Sequence, residues 1–165
     1  MSMTMTASGA DIERSPWRWP AAASAVVLAA AHLPITPEHL SEAPYIGTSF
    51  VALEIAGAVL AVALLLWDTR PVWGAAVVVP AAAVAAYLVT RSFALPQIPD
   101  DKGNWTEPLS FVALASEVLL IVLAAAHRHP SLERSRLVAH PGTAAAAILV
   151  VGLAATVWAA SASMG

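Results

Sequence analysis

Five long apolar runs, separated by short polar segments, dominate the pattern of the chain. Each run has about 17–21 residues, enough for a helix that rises about 1.5 Å per residue to cross a hydrocarbon core of about 30 Å. They are Trp19–Ile35, Gly47–Trp67, Val72–Arg91, Pro108–Ala126 and Gly142–Ala160. The alternating segments of about 10 residues that form a transmembrane barrel are not visible. The pattern predicts an all-α integral membrane protein, a bundle of five transmembrane helices.

The polar segments predict how the rest of the chain is organised. Residues 1–16 are small and polar and are expected to form a disordered cytoplasmic tail, which leaves 17–165 as a single five-helix transmembrane domain. Thr36 followed by Pro37 is typical of a helix start, with the threonine as the N-cap residue. We therefore expect a short interfacial helix near residues 37–43.

The first apolar run allows a second interpretation. Arg14 and Arg18 followed by a short apolar stretch and three alanines resemble a signal peptide that is cleaved after Ala31. The apolar run continues beyond that point to Ile35, so we favour a retained first helix.

The basic residues predict the orientation of the bundle. Six of the eight Lys and Arg residues fall on one side of the predicted membrane, and the positive-inside rule makes that side cytoplasmic. The N-terminus is then cytoplasmic and the C-terminus external. The six are Arg14, Arg18, Arg70, Arg128, Arg134 and Arg136, and the other two are Arg91 and Lys102. The predicted location is the cell membrane, which in a bacterium is the inner membrane.

Composition excludes several classes of protein. The chain is 59% hydrophobic and 12% charged, whereas soluble domains carry about 25% charge. A net charge of −3 without a basic stripe argues against binding to nucleic acid. The expected partners are the lipid bilayer and, in addition, another membrane protein or further copies of this chain. Cysteine is absent, which removes thiolate chemistry.

Ionisable residues inside the predicted spans mark a candidate site. Each costs about 2.5–3.5 kcal/mol to insert, so it is expected to be paired or functional. His32, Glu54 and Glu117 fall in the external half of three spans and offer one nitrogen and two carboxylates, a ligand set that suits a divalent metal ion. Tyr87 and Arg91 share one face of the third span and are candidate ligand-binding residues. We expect Arg91 to pair with one of the two glutamates.

The sequence leaves more than one function open. The motif H-E-x-x-H, the elbow G-x-S-x-G and the paired Glu-x-x-His pattern of di-iron bundles are absent, so catalysis is unsupported and no catalytic residue is assigned. One hypothesis is a site for a metal ion, a proton or a small polar ligand that enters from outside. Another is an accessory or assembly subunit of a larger membrane complex, in which the polar cluster is a structural network. A transporter ranks last, because no inverted repeat is visible.

Overall fold

The structure is a computed structural model that describes residues 14–129 and 140–163. These residues form six α-helices, one 3₁₀ turn at Pro99–Asp101 and, within the described ranges, no β-strand. The helices are α1 (Arg18–His32), α2 (Thr36–Glu42), α3 (Pro44–Leu66), α4 (Arg70–Ser92), α5 (Pro108–Ala126) and α6 (Pro141–Ser163). Most of the predicted tail, and the basic loop that holds Arg134 and Arg136, lie outside the described residues.

Four helices, α3 to α6, are long and apolar enough to cross a membrane. The 15-residue helix α1 reaches that standard only together with α2, from which it is bent by 47°. By length and composition, the described residues therefore hold four helices that could span a membrane, or five if the bent pair forms one span, which is typical of a small multi-pass membrane protein. Which end of the bundle faces the cytoplasm stays a prediction.

The first span differs from its expected form because helix α1 ends at His32 rather than at Ile35. Pro34 has no backbone N–H to donate to the carbonyl four residues earlier, so the helical hydrogen bonding stops there, although Leu33 itself keeps helical backbone angles. The expected short helix then follows as α2. The prediction that Thr36 caps this helix is wrong, because Ile35 occupies the N-cap position and Thr36 is the first residue inside the helix.

Helix α1 is the centre of the bundle and packs against α3, α5 and α6. Ten of its fifteen residues are buried, and five of those ten are alanine. Alanine and glycine allow helix backbones to approach closely in a membrane. At Gly57 of α3, an added Cβ would lie 3.0 Å from the carbonyl oxygen of Ala25, so this pair of helices tolerates almost no side chain between them.

The helices alternate in direction, which gives the bundle two ends. The α2 end carries α2 and the loop between α4 and α5. The Asp68 end carries Asp68 in the turn between α3 and α4, together with the start of α1 and the end of α5. The two ends hold different polar clusters, which are described next.

A candidate ligand-binding cleft

Two of the predicted site residues meet in the interior of the bundle. Nε2 of His32 lies 3.9 Å from Oε1 of Glu117, and the two residues are only 5% and 3% exposed. Helix side chains lean toward the N-terminus of their own helix. Because α1 and α5 run in opposite directions, these two side chains lean toward each other. A hydrogen bond of 2.9 Å from Oγ of Ser24 to the carbonyl oxygen of Ser116 holds the same two helices together.

The contact between His32 and Glu117 is not a hydrogen bond. Nδ1 of His32 lies 2.8 Å from the carbonyl oxygen of Leu28, and a carbonyl only accepts, so Nδ1 carries the proton and Nε2 of the neutral ring is an acceptor. A separation of 3.9 Å is too long for a direct bond. Within the described part of the chain, no group donates a hydrogen bond to Glu117. When Glu117 is ionised, two acceptors thus face each other without a donor between them.

The structure does not bring Glu54 into the same contact. This residue is half-buried, and its Oε1 lies 2.5 Å from Oγ1 of Thr36, whose hydroxyl is also 3.0 Å from the carbonyl oxygen of His32. Glu54 therefore joins α3 to α2. Among the described residues, no group of three His, Asp or Glu side chains is close enough to hold a metal ion. The metal site predicted from His32, Glu54 and Glu117 stays a prediction.

Arg91 pairs with two acids of the loop region, so the expectation that it pairs with Glu54 or Glu117 is wrong. Its guanidinium lies 3.0 Å from Oδ2 of Asp101 and 2.8 Å from Oε2 of Glu107. It also donates to Oγ of Ser110 over 3.0 Å. Arg91 lies in the last turn of α4, beside the first turn of α5, and from there its long side chain reaches the α2 end more readily than the midplane.

Tyr87 lies close to Arg91, as its position one turn earlier predicts. The guanidinium carbon sits 5.2 Å from the centre of the tyrosine ring, a distance at which a cation is attracted to the ring face. The ring of Trp105 meets that of Tyr87 edge-on, 6.0 Å between centres. The two candidate ligand-binding residues are therefore adjacent.

A cleft of about 470 Å³ joins most of these residues. It opens between the end of α1, α2, α3, α4 and α5, and its polar lining gathers toward the α2 end. The polar members are His32, His39, Ser49, Tyr87, Thr90, Arg91, Asp101, Glu107, Ser110 and Glu117. The remaining wall is apolar: six of its thirteen residues are alanine, and the others are valine, leucine, isoleucine and Phe50. Phe50 contributes an aromatic surface at the cleft, with its ring 5.2 Å from that of His32 and 5.0 Å from that of His39.

Acidic groups outnumber basic ones around the cleft. Arg91 is the only Lys or Arg among the described residues that line it, and it already faces the carboxylates of Asp101 and Glu107. Glu117 adds a third acid. With neutral histidines, the lining is negative whether Glu117 is ionised or protonated, so the cleft disfavours anions.

A second hollow of about 510 Å³ lies between α1, α5 and α6. Its lining is apolar apart from Ser24 and Ser116, and the hydroxyls of both serines already donate to backbone carbonyls. This surface has nothing with which to orient a polar ligand, and we assign no site to it.

The Asp68 end holds a polar cluster that the sequence did not reveal. The two carboxylate oxygens of Asp68 accept from Nε1 of Trp73 over 2.6 Å and from the backbone N–H of Ser15 over 2.5 Å. Nδ1 of His127 lies 2.9 Å from Oγ of Ser15. The rings of Trp73 and His127 stack, with centres 4.0 Å apart. Arg14 and Ser15, at the end of the predicted tail, therefore contact the bundle.

Comparison with known proteins does not identify the chain. No family model matches the sequence, and no curated protein and no solved structure matches it. The functional argument therefore rests on the cleft itself.

Proposed function

We propose that this multi-pass membrane protein binds a small ligand in the cleft at the α2 end, and that the ligand enters from the external side. One observation carries the proposal: two buried acceptors, on His32 and Glu117, face each other across 3.9 Å beside a cleft of about 470 Å³. Ligand sites in proteins usually have volumes of about 300–1,000 Å³, apolar walls and a few converging polar groups. The cleft has all three properties.

A purely structural network explains this arrangement less well. Buried polar groups that only fix a fold are expected to satisfy one another, because each unmet group costs about 1–3 kcal/mol. The side chains of Arg91, Glu107 and Ser110 bond to one another in that way, although Nε of Arg91 has no hydrogen-bond partner among the described residues. Glu117 does not, although it is among the most buried polar residues of the described chain.

The accessory-subunit hypothesis has less to support it. It rests on the small size of the chain and on its five apolar runs. The exposed apolar faces of α3 to α6 suit lipid chains as well as they suit another protein, so they do not favour a partner subunit.

Access to the cleft is the first test. The chain contains no cysteine, so single cysteines can be introduced without a background signal. Ala83→Cys places a thiol on the cleft wall, and Val157→Cys on the 70% exposed, lipid-directed face of α6 is the matched control. We expect a membrane-impermeant, cationic methanethiosulfonate added outside right-side-out vesicles to modify the first thiol and not the second.

Two results would count against the proposal. If the reagent modified neither thiol from either side of the membrane, water would not reach the cleft, and the proposed binding function would be wrong. Modification of the Ala83→Cys thiol only in inside-out vesicles would keep the cleft and reverse the proposed direction of entry.

A further inference from the structure

We infer that the cleft binds a lipophilic amine, a molecule with an N–H-bearing ammonium head and a compact apolar body. The head would lie between Nε2 of His32 and the carboxylate of Glu117, and the body against the alanine-rich wall. This inference rests on the proposed binding function and specifies the ligand class for the same cleft.

The facing acceptors define the chemistry of the head. A hydrogen bond to either acceptor spans about 2.8–3.0 Å, so one donor atom can sit within bonding distance of two acceptors that are 3.9 Å apart. That donor needs at least two diverging N–H or O–H bonds, and a primary ammonium group has three N–H bonds. A positive charge strengthens both bonds, because the acceptors are buried and one of them is a carboxylate.

The charge of the cleft favours the same class. The single guanidinium of Arg91 is held by two carboxylates, at 2.8 and 3.0 Å, and so offers little to a ligand anion. An ammonium ion instead offsets the excess of acidic groups. The ring of Phe50, which also lines the cleft, attracts cations rather than anions.

The walls define the body of the ligand. Five alanines on α3 and α4 leave smooth, shallow apolar surfaces: Ala52, Ala56, Ala82, Ala83 and Ala86. Burial of a ligand's methylenes against this type of surface favours binding, because it removes apolar area from water. A bare metal ion would use little of the cleft volume and would find only His32 and Glu117 in contact, whereas most protein metal sites supply three or more ligands.

Four probes with the same phenylethyl body separate the contributions of charge, hydrogen bonding and the apolar body to binding in the cleft. They are 2-phenylethylammonium, 2-phenylethyltrimethylammonium, 2-phenylethanol and 3-phenylpropanoate. The readout is protection of the Ala83→Cys thiol from the external reagent in right-side-out vesicles at pH 7.5. We expect half-protection by the primary ammonium at a concentration about tenfold below that of the quaternary ion or the alcohol, and no protection by the carboxylate.

Variants locate the head group. In Glu117→Gln the amide can itself donate to Nε2 of His32, so the acceptor pair is satisfied within the protein, and we expect the advantage of the ammonium over the alcohol to disappear. His32→Gln removes the acceptor nitrogen and tests the same point if the first variant does not fold. Glu42→Gln, at an exposed position of α2, is the matched control and is expected to keep the full preference.

The outcomes distinguish this inference from the proposed function. Equal protection by all four probes would show a cleft that selects only the apolar body, which overturns the amine inference and leaves ligand binding in place. Equal protection by the primary and quaternary ions would show charge selection without a hydrogen-bonding head, which also overturns it. Retention of the ammonium preference in both Glu117→Gln and His32→Gln would place the head elsewhere. An unreactive Ala83→Cys thiol would reject the proposed function itself.

Discussion

The two ends of the bundle use similar residues in opposite ways. At the Asp68 end, an acid, a histidine and an aromatic ring satisfy one another: both oxygens of Asp68 accept hydrogen bonds, and His127 stacks on Trp73. At the α2 end, His32 and Glu117 approach each other without bonding. The comparison indicates that the Asp68 cluster holds the fold together and that the cleft keeps its bonding capacity for something else.

The contrast between the two ends predicts the largest loss of stability at Asp68. Asp68→Ala removes the acceptors for Trp73 and Ser15 and places alanine at a backbone φ of +36°, a region that alanine adopts less readily than aspartate. We expect the free energy of unfolding to fall by about 2–4 kcal/mol, measured by titration with a denaturing detergent. Asp100→Ala, at an exposed loop carboxylate, should change it by less than about 0.5 kcal/mol. Equal losses for Asp68→Ala and Asp100→Ala would mean that the Asp68 cluster does not stabilise the fold, and the contrast between the two ends would be wrong.

A smaller loss is expected at the contact between α2 and α3. Thr36→Val keeps the shape of the side chain and removes the hydroxyl that lies beside Glu54 and the carbonyl of His32. We expect a loss of about 1–2 kcal/mol in the same titration, because the carboxylate loses its donor. Thr48→Val is the matched control, since that exposed hydroxyl bonds only to Pro44 in its own helix. If both variants unfold together with the parent chain, the Thr36 contact adds no stability.

The smallest effect is expected at Glu117. Glu117→Gln should cause no loss in the free energy of unfolding, because the carboxylate accepts no hydrogen bond from the described protein and the new amide can donate to Nε2 of His32. The same substitution at Glu107, which accepts from Arg91 and Ser110, should cost about 1–2 kcal/mol. A larger loss at Glu117 than at Glu107 would make Glu117 a structural residue and would favour the network hypothesis.

Much of the fold could be predicted from the sequence because hydrophobic length alone decides whether a helix can span a membrane. The second to fifth apolar runs correspond to α3, α4, α5 and α6, with boundaries that differ by a few residues. The end of the first helix is harder to predict, because Pro34 ends the helix inside an apolar stretch. Hydropathy contains no information on where such a helix stops.

The candidate site was only partly predictable. The cost of placing a charge in a membrane predicts that Glu117 and His32 are paired or functional, and both line the cleft. It did not reveal the partners of Arg91, since Asp101 and Glu107 have the sequence context of ordinary solvated loop residues. The contacts of Ser15 with Asp68 and His127 join residues 53 and 112 positions apart, and a single sequence without aligned relatives gives no signal for pairs of that separation.

The shortness of the central helix has a consequence for biogenesis. A helix of 15 residues extends about 22 Å, less than the thickness of the hydrocarbon core. It emerges before the helices that surround it during synthesis, but it lacks the length to settle stably in lipid by itself. The later helices α3, α5 and α6, which surround it, must enclose it instead. We therefore expect the spans to insert stably in a different order from that in which the ribosome releases them. The innermost helix, α1, is expected to insert stably last.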